Sequence, residues 1–158
     1  RFPRADSLLQ SYATEMNPGE NDMNSSSYGF GVELDKLSVE EGVEKITAAL
    51  SNEGFGVLTR IDVDKTLKEK LGAQFRAYSI LGACHPQLAL KALNSEAEIG
   101  LLMPCNVLVQ ENSAGSGITI SAIDPEKLID LVQEREAATV MMEAGALLRR
   151  AIDALTNE

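Results

Sequence analysis

The sequence has no tryptophan, a single histidine, His85, and two cysteines, Cys84 and Cys105. Aromatic residues make up 4% of the chain, so platforms that stack on single-stranded nucleic acid or sugar rings are scarcely available. Basic charge is also short: 14 Lys and Arg stand against 24 Asp and Glu, a formal net charge of −10. A protein that grips the phosphate backbone needs a cationic footprint, and this balance argues against one. No apolar run approaches the roughly 18 residues of a membrane span. Two cysteines are too few for a small domain held by disulfides, and no charged start, apolar stretch and small-residue cleavage site follow one another. The expectation is a cytoplasmic protein with reduced thiols, binding neither membrane nor nucleic acid. What is present is 44% hydrophobic residues in 158, enough for one core on the scale of one domain.

Residues 1–26 read as a disordered or extraneous tail, and residues 27–157 as a single domain. In the tail the apolar residues are scattered, and Pro18–Gly19 leads into a Ser/Asn cluster, too little burial to offset ordering entropy. A short helix around Ala5–Met16 finds no clear stripe. Gly19–Glu20 must be encoded by purine-rich codons just upstream of Met23, which makes Met23 a candidate native start and residues 1–22 candidate upstream sequence.

From Tyr28 the chain turns periodic. Tyr28, Phe30, Val32 and Leu34 alternate with Gly and acidic residues, the period of a strand with one apolar face. Ser38 and Glu41 form a capping box ahead of Val39, Val43, Ile46 and Leu50, and Gly54 ends that helix. Phe55–Ile61 reads as a second strand. Asp62 is placed to cap a short helix carrying Val63, Leu67 and Leu71, closed by Gly72. Phe75–Cys84 reads as a third strand, and Pro86 starts a helix through Leu93. Leu101–Gln110 is a near-continuous apolar run, which predicts a central strand covered on both faces. A loop from Asn112 to Gly117 turns the chain into an antiparallel fifth strand, Ile118–Ile123. Asp124–Pro125 opens another helix with Leu128, Leu131 and Val132 inward. A last helix from Glu136 to Leu155 carries the stripe Val140, Met141, Ala144, Leu147, Leu148, Ala151, Ile152 and Leu155. The sum is an α+β domain: a largely antiparallel five-stranded sheet, helices on one face, and a long C-terminal helix that covers the sheet or pairs with a second subunit.

The most specific local feature is Cys84-His85-Pro86 with Met103-Pro104-Cys105-Asn106 downstream. Cys84 stands where a strand ends and a helix starts, a setting that favours anions. Cys105 opens a strand expected beside the third, so the two thiols are expected to be near one another, with His85 close by. Three readings of this group compete. It is a soft-metal site, a redox or reactive dithiol, or two small buried hydrophobes beside a helix-end histidine. No paired C-x-x-C spacing supports the metal, and no cofactor is predicted. Glu96 and Glu98 lie in a polar turn and are expected to be solvated; Glu98 also leads into the apolar Ile99–Met103 run, where burial would instead raise its pKa and make it a candidate acid. Gly29-Phe-Gly31 and Gly54-Phe-Gly56 lack the spacing of phosphate loops and fit bulges or close backbone approach better. With one histidine and no G-x-S-x-G elbow, a serine hydrolase is not indicated.

Taken together, Tyr28-Gly-Phe-Gly-Val32, Gly54-Phe-Gly-Val-Leu-Thr59, Lys68-Glu-Lys-Leu-Gly72, Tyr78-Ser-Ile-Leu-Gly-Ala-Cys84-His-Pro86, Glu98-Ile-Gly-Leu-Leu-Met-Pro-Cys-Asn-Val107 and Ile123-Asp-Pro125 resemble the domain of unknown function 302 family of bacteria and archaea, over nearly all of residues 27–156. The resemblance implies a small domain resembling the TATA-box-binding-protein-like group and a homodimer. It transfers no catalytic residues, and fold alone does not imply nucleic-acid binding. The expectation is therefore a cytoplasmic homodimeric module, non-enzymatic, that binds a small ligand or a partner. Cys84, His85, Cys105, Asn106 and Glu98 are its candidate site. The alternative is a thiol-dependent redox or soft-metal protein using Cys84 and Cys105.

Overall fold

A computed structural model describes residues 26–157. The readings of the tail through Ser25, including the Ala5–Met16 helix and the Met23 start, lie outside the described residues. Five strands are present: β1 (Gly29–Asp35), β2 (Gly56–Asp62), β3 (Tyr78–Cys84), β4 (Cys105–Glu111) and β5 (Gly117–Ile123). They form one sheet in the order β1-β5-β4-β3-β2, with every neighbouring pair antiparallel. The helices are α1 (Val39–Asn52), α2 (Val63–Leu71), α3 (Pro86–Ser95) and α4 (Arg135–Ala154), with 3-10 segments at Ala97–Leu102 and Pro125–Leu131. The α+β reading and the antiparallel five-stranded sheet stand.

Register assigns the two faces. Phe30, Val32 and Leu34 align with Ala122, Ile120 and Ile118, and these with Val107, Val109 and Glu111. Ala83, Leu81 and Ser79 complete that face across β3. α1 lies directly on it, because a side chain added at Gly42 would meet Ile118 Cδ1 and Val109 Cγ1. α4 covers the β1 side, where the Arg149 guanidinium sits 4.1 Å from the Phe30 ring centre and ion-pairs with buried Asp124 at 2.7 Å. Ile46, Leu50, Leu81, Val107, Val109, Ile118, Ile120 and Leu148 form the centre of the core, all fully enclosed. Among the described residues no helix is long and apolar enough to cross a membrane.

Local signals acted as their chemistry predicts at α1. The Ser38 hydroxyl accepts from the Glu41 N–H while Glu41 accepts from the Ser38 N–H. Gly54, past the end of the helix, has φ +86°.

Several expectations are corrected. The fourth strand begins at Cys105, not Leu101. Pro104 has no N–H to give to a neighbouring strand, and residues 97–102 wind into a 3-10 segment instead. β4 is central, but it is not covered on both faces: Asn106 is exposed. The third strand begins at Tyr78 rather than Phe75. Asp62 precedes α2 without a side-chain capping bond, because its carboxylate is taken up by Arg60, Lys65 and Ser79. Leu131 points outward and is 64% exposed, since Pro125–Leu131 is a 3-10 turn that does not continue its stripe as an α-helix.

Candidate functional site

Cys84 closes β3, and His85 stands between it and α3 as the N-cap residue. The His85 Nδ1 accepts the Leu88 N–H at 3.4 Å, satisfying one of the free amides at the start of α3. The proton of the neutral ring is thereby assigned to Nε2, which faces Gly54: a Cβ added there would lie 2.7 Å from it. The Phe55 ring meets the imidazole edge-on at 5.5 Å. His85 is thus a helix cap clamped by Phe55 and the Gly54 backbone.

Cys105 opens β4 opposite Ala83, which sets it next to Cys84 across the strand pair. Both thiols are free. Burial pushes the Cys105 thiol up to about 11, and the nearby Cys84 adds to the rise. At neutral pH Cys105 is therefore a protonated, apolar-leaning group rather than a thiolate.

These residues line a cavity of about 70 Å³ at the end of the sheet. Ala83, Cys84, Cys105 and Ile123 supply the strand side. Leu88 and Ala92 of α3, Ile99 and Leu102 of the 3-10 segment, and Val140, Met141 and Ala144 of α4 enclose it, with Phe55, Met103, Pro104, Pro125 and Leu128. The lining is overwhelmingly apolar. Four sulfur-bearing side chains, Cys84, Met103, Cys105 and Met141, face this one space. The roof is fastened by Glu96: its Oε2 accepts the Gln133 and Glu134 N–H groups at 2.9 and 3.2 Å, tying the end of α3 to the start of α4.

The structure brings together three of the five residues singled out from sequence. Cys84, His85 and Cys105 share the cavity, whereas Asn106 and Glu98 are outside its lining. Asn106 sits exposed on the other face of the sheet, opposite Gly82. Glu98 is exposed, as a carboxylate in a polar turn is expected to be, because the 3-10 turn directs Ile99 inward and Glu98 and Leu101 outward; the burial that would have made it an acid is not there. A candidate acid therefore does not exist there on the ground of burial. Among the described residues no three His, Cys, Asp or Glu side chains are arranged to hold a metal ion. Sequence reasoning missed Met103 as a cavity residue and gave Met141 only a core or interface role. The stripe of α4 was the available signal for Met141; Met103 had none, as its direction depends on the turn before β4.

Known proteins agree with this architecture. No curated protein matches the chain. Among solved structures, a crystal structure of uncharacterized conserved protein DUF302 from Bacillus stearothermophilus superimposes with a TM-score of 0.72. It has 26% sequence identity and covers 81% of this chain and 98% of that one. The profile of the family described as Domain of unknown function DUF302 matches residues 30–155, from β1 through the end of α4. The chain belongs to the DUF302 family.

Proposed function

We propose that the protein is a small-ligand-binding module whose ligand is a neutral, compact apolar molecule, or the apolar end of a longer one. The observation that carries this reading is the cavity of about 70 Å³ beside Cys84 and Cys105. One water needs only ~10–15 Å³, whereas a cavity that takes a benzene ring is ~150 Å³, so the space fits a short alkyl group or a single large apolar atom. Its walls offer dispersion contacts and polarizable sulfur. A charged ligand would be left without partners in such a lining. Two free thiols fit a reducing, cytoplasmic setting.

One observation favours a second reading, soft-metal or thiol chemistry: four sulfur atoms face the cavity, the donor set that soft cations select. The Cys105 thiol, held up at about 11, weighs against it, because metal binding and disulfide exchange both need the thiolate. Titration with xenon, followed by backbone and methyl NMR shifts, tests the first reading. Saturable shifts are expected at Ala83, Ala92, Ile99 and Cys105. Shifts confined to surface residues, or none, would overturn it. Silver(I) titration with the same readout tests the second.

A further inference from the structure

The face of the sheet away from α1 and α4 carries a cation that the fold does not neutralise. Arg76 enters this face just before β3 and donates from Nε and Nη2 to Gln110 Oε1 at 3.0 and 2.7 Å. Its guanidinium lies 4.8 Å from the centre of the Phe75 ring and 5.6 Å from that of Tyr78. Acidic residues outnumber basic ones by 24 to 14 in this chain, yet among the described residues Arg76 has no carboxylate partner. The side chain is exposed, so the donors that Gln110 leaves unused are open to a ligand, on a group that an amide and two rings hold in place.

A second observation lies directly beside it. Gln110 is 7% exposed, and Thr119, opposite it across β4 and β5, is 1% exposed. A carbonyl oxygen has two lone pairs, and Arg76 engages Gln110 Oε1 twice. The Thr119 hydroxyl has no hydrogen-bond partner, a cost that protein interiors rarely leave standing. The amide oxygen across the strand pair that could accept from Thr119 is occupied by Arg76.

We propose that Arg76 anchors a binding site for an amphipathic monocarboxylate, an organic acid with an aliphatic body. A carboxylate takes a guanidinium two-pronged, and such charge-assisted bonds are roughly twice as strong as those to a neutral amide. Ligand binding draws Arg76 off Gln110, and the freed Oε1 accepts the Thr119 hydroxyl, so the buried orphan is satisfied in the liganded state. Two residues further along the strands, about 7 Å away, Ile80 and Leu108 face each other across β3 and β4. Both are half-buried, and Ile61 beside them on β2 is 50% exposed. The aliphatic body lies over these three. Glu33 and Asp35, exposed on β1 on the same face, would repel a second anionic group, which restricts the ligand to one charge. None of these side chains lines the cavity, so the site is separate from the one proposed there.

Titration of the full chain with octanoate, followed by amide, side-chain and methyl NMR shifts, tests it. Saturable shifts are expected at the Arg76 Nε–H, the Gln110 side-chain amide and the methyl groups of Ile80 and Leu108. Octanol has the body without the charge and acetate the charge without the body, and each should bind about tenfold or more weakly. Arg76→Gln should weaken octanoate binding about tenfold or more with the circular dichroism unchanged. Thr119→Val should weaken it several-fold while raising the urea midpoint of the ligand-free protein, because the unpartnered hydroxyl is gone. Shifts confined to Ala83, Ile99 and Cys105 would put the acid in the cavity and overturn the proposal. So would the absence of saturable shifts, octanol binding as tightly as octanoate, or an affinity that Arg76→Gln or Thr119→Val leaves unchanged.

Discussion

Asp62 shows how a single residue changes role once the chain is folded. In sequence it stands before an apolar helix, where an aspartate usually caps. In the structure its Oδ1 accepts from Arg60 Nε at 2.8 Å and from the Ser79 hydroxyl at 2.9 Å, and its Oδ2 from Lys65 Nζ at 2.7 Å. Arg60 in turn makes a two-pronged contact with Glu40 of α1 at 2.9 and 2.8 Å. The cluster fastens edge strand β2 to α1, and its donors hold the Asp62 carboxyl at about 2, below the usual 3.8. The sign follows from linkage: a depressed folded-state pKa contributes stability that is present above the unfolded pKa and lost as protons are taken up. Stability should therefore fall as pH drops from near 4 towards 2. Asp62→Asn should cost about 1–2 kcal/mol at neutral pH and flatten that acid limb. Urea unfolding of both proteins from pH 7 to 2 checks it, and an unchanged acid limb would remove Asp62 as its cause.

Elements were legible where their signals are local. The Ser38–Glu41 box, the Gly72 cap of α2 and the two-residue alternation of β1 are all contained in a few consecutive residues, and each element forms where those residues place it. The misplaced boundaries have a common cause. An apolar run from Ile99 to Val109 carries burial but not conformation, and the structure splits it into a 3-10 turn, Met103–Pro104 and a strand. Gly42 tests the same point within α1. A glycine inside a helix normally gives way to alanine with a gain of about 1 kcal/mol. Here the added Cβ would run into Ile118 Cδ1 and lie 2.8 Å from Val109 Cγ1. Gly42→Ala should therefore destabilise the protein by about 1–3 kcal/mol, read as a lowered urea midpoint. A raised midpoint would mean that α1 lifts off the sheet at little cost.

At the scale of the molecule, the cavity exists because five separate stretches converge on one end of the sheet. α4 forms one wall through Val140, Met141 and Ala144. Ala144→Leu should fill the space, abolish the xenon shifts and raise stability by about 1 kcal/mol, since the added methyl groups leave water for an apolar void. Calorimetry and the xenon titration read the two effects separately. A variant that binds xenon as the wild type does would move the ligand elsewhere.

The sequence by itself determined the α+β class, the antiparallel sheet, the family, and the adjacency of Cys84, His85 and Cys105, because strand period, caps and motif order are properties of neighbouring residues. Only the tertiary structure decided that His85 is a cap, that Glu98 faces water, that Cys105 is held protonated and that Met103 and Met141 join the thiols. Each of those depends on what other segments bring to within a few ångströms: dehydration of a thiol, competition for a carboxylate, and the direction of a turn. Charge divides in the same way. The deficit of basic residues argues against polyanion partners as a matter of composition, whereas only the fold sets the Asp62 carboxylate between Arg60, Lys65 and Ser79.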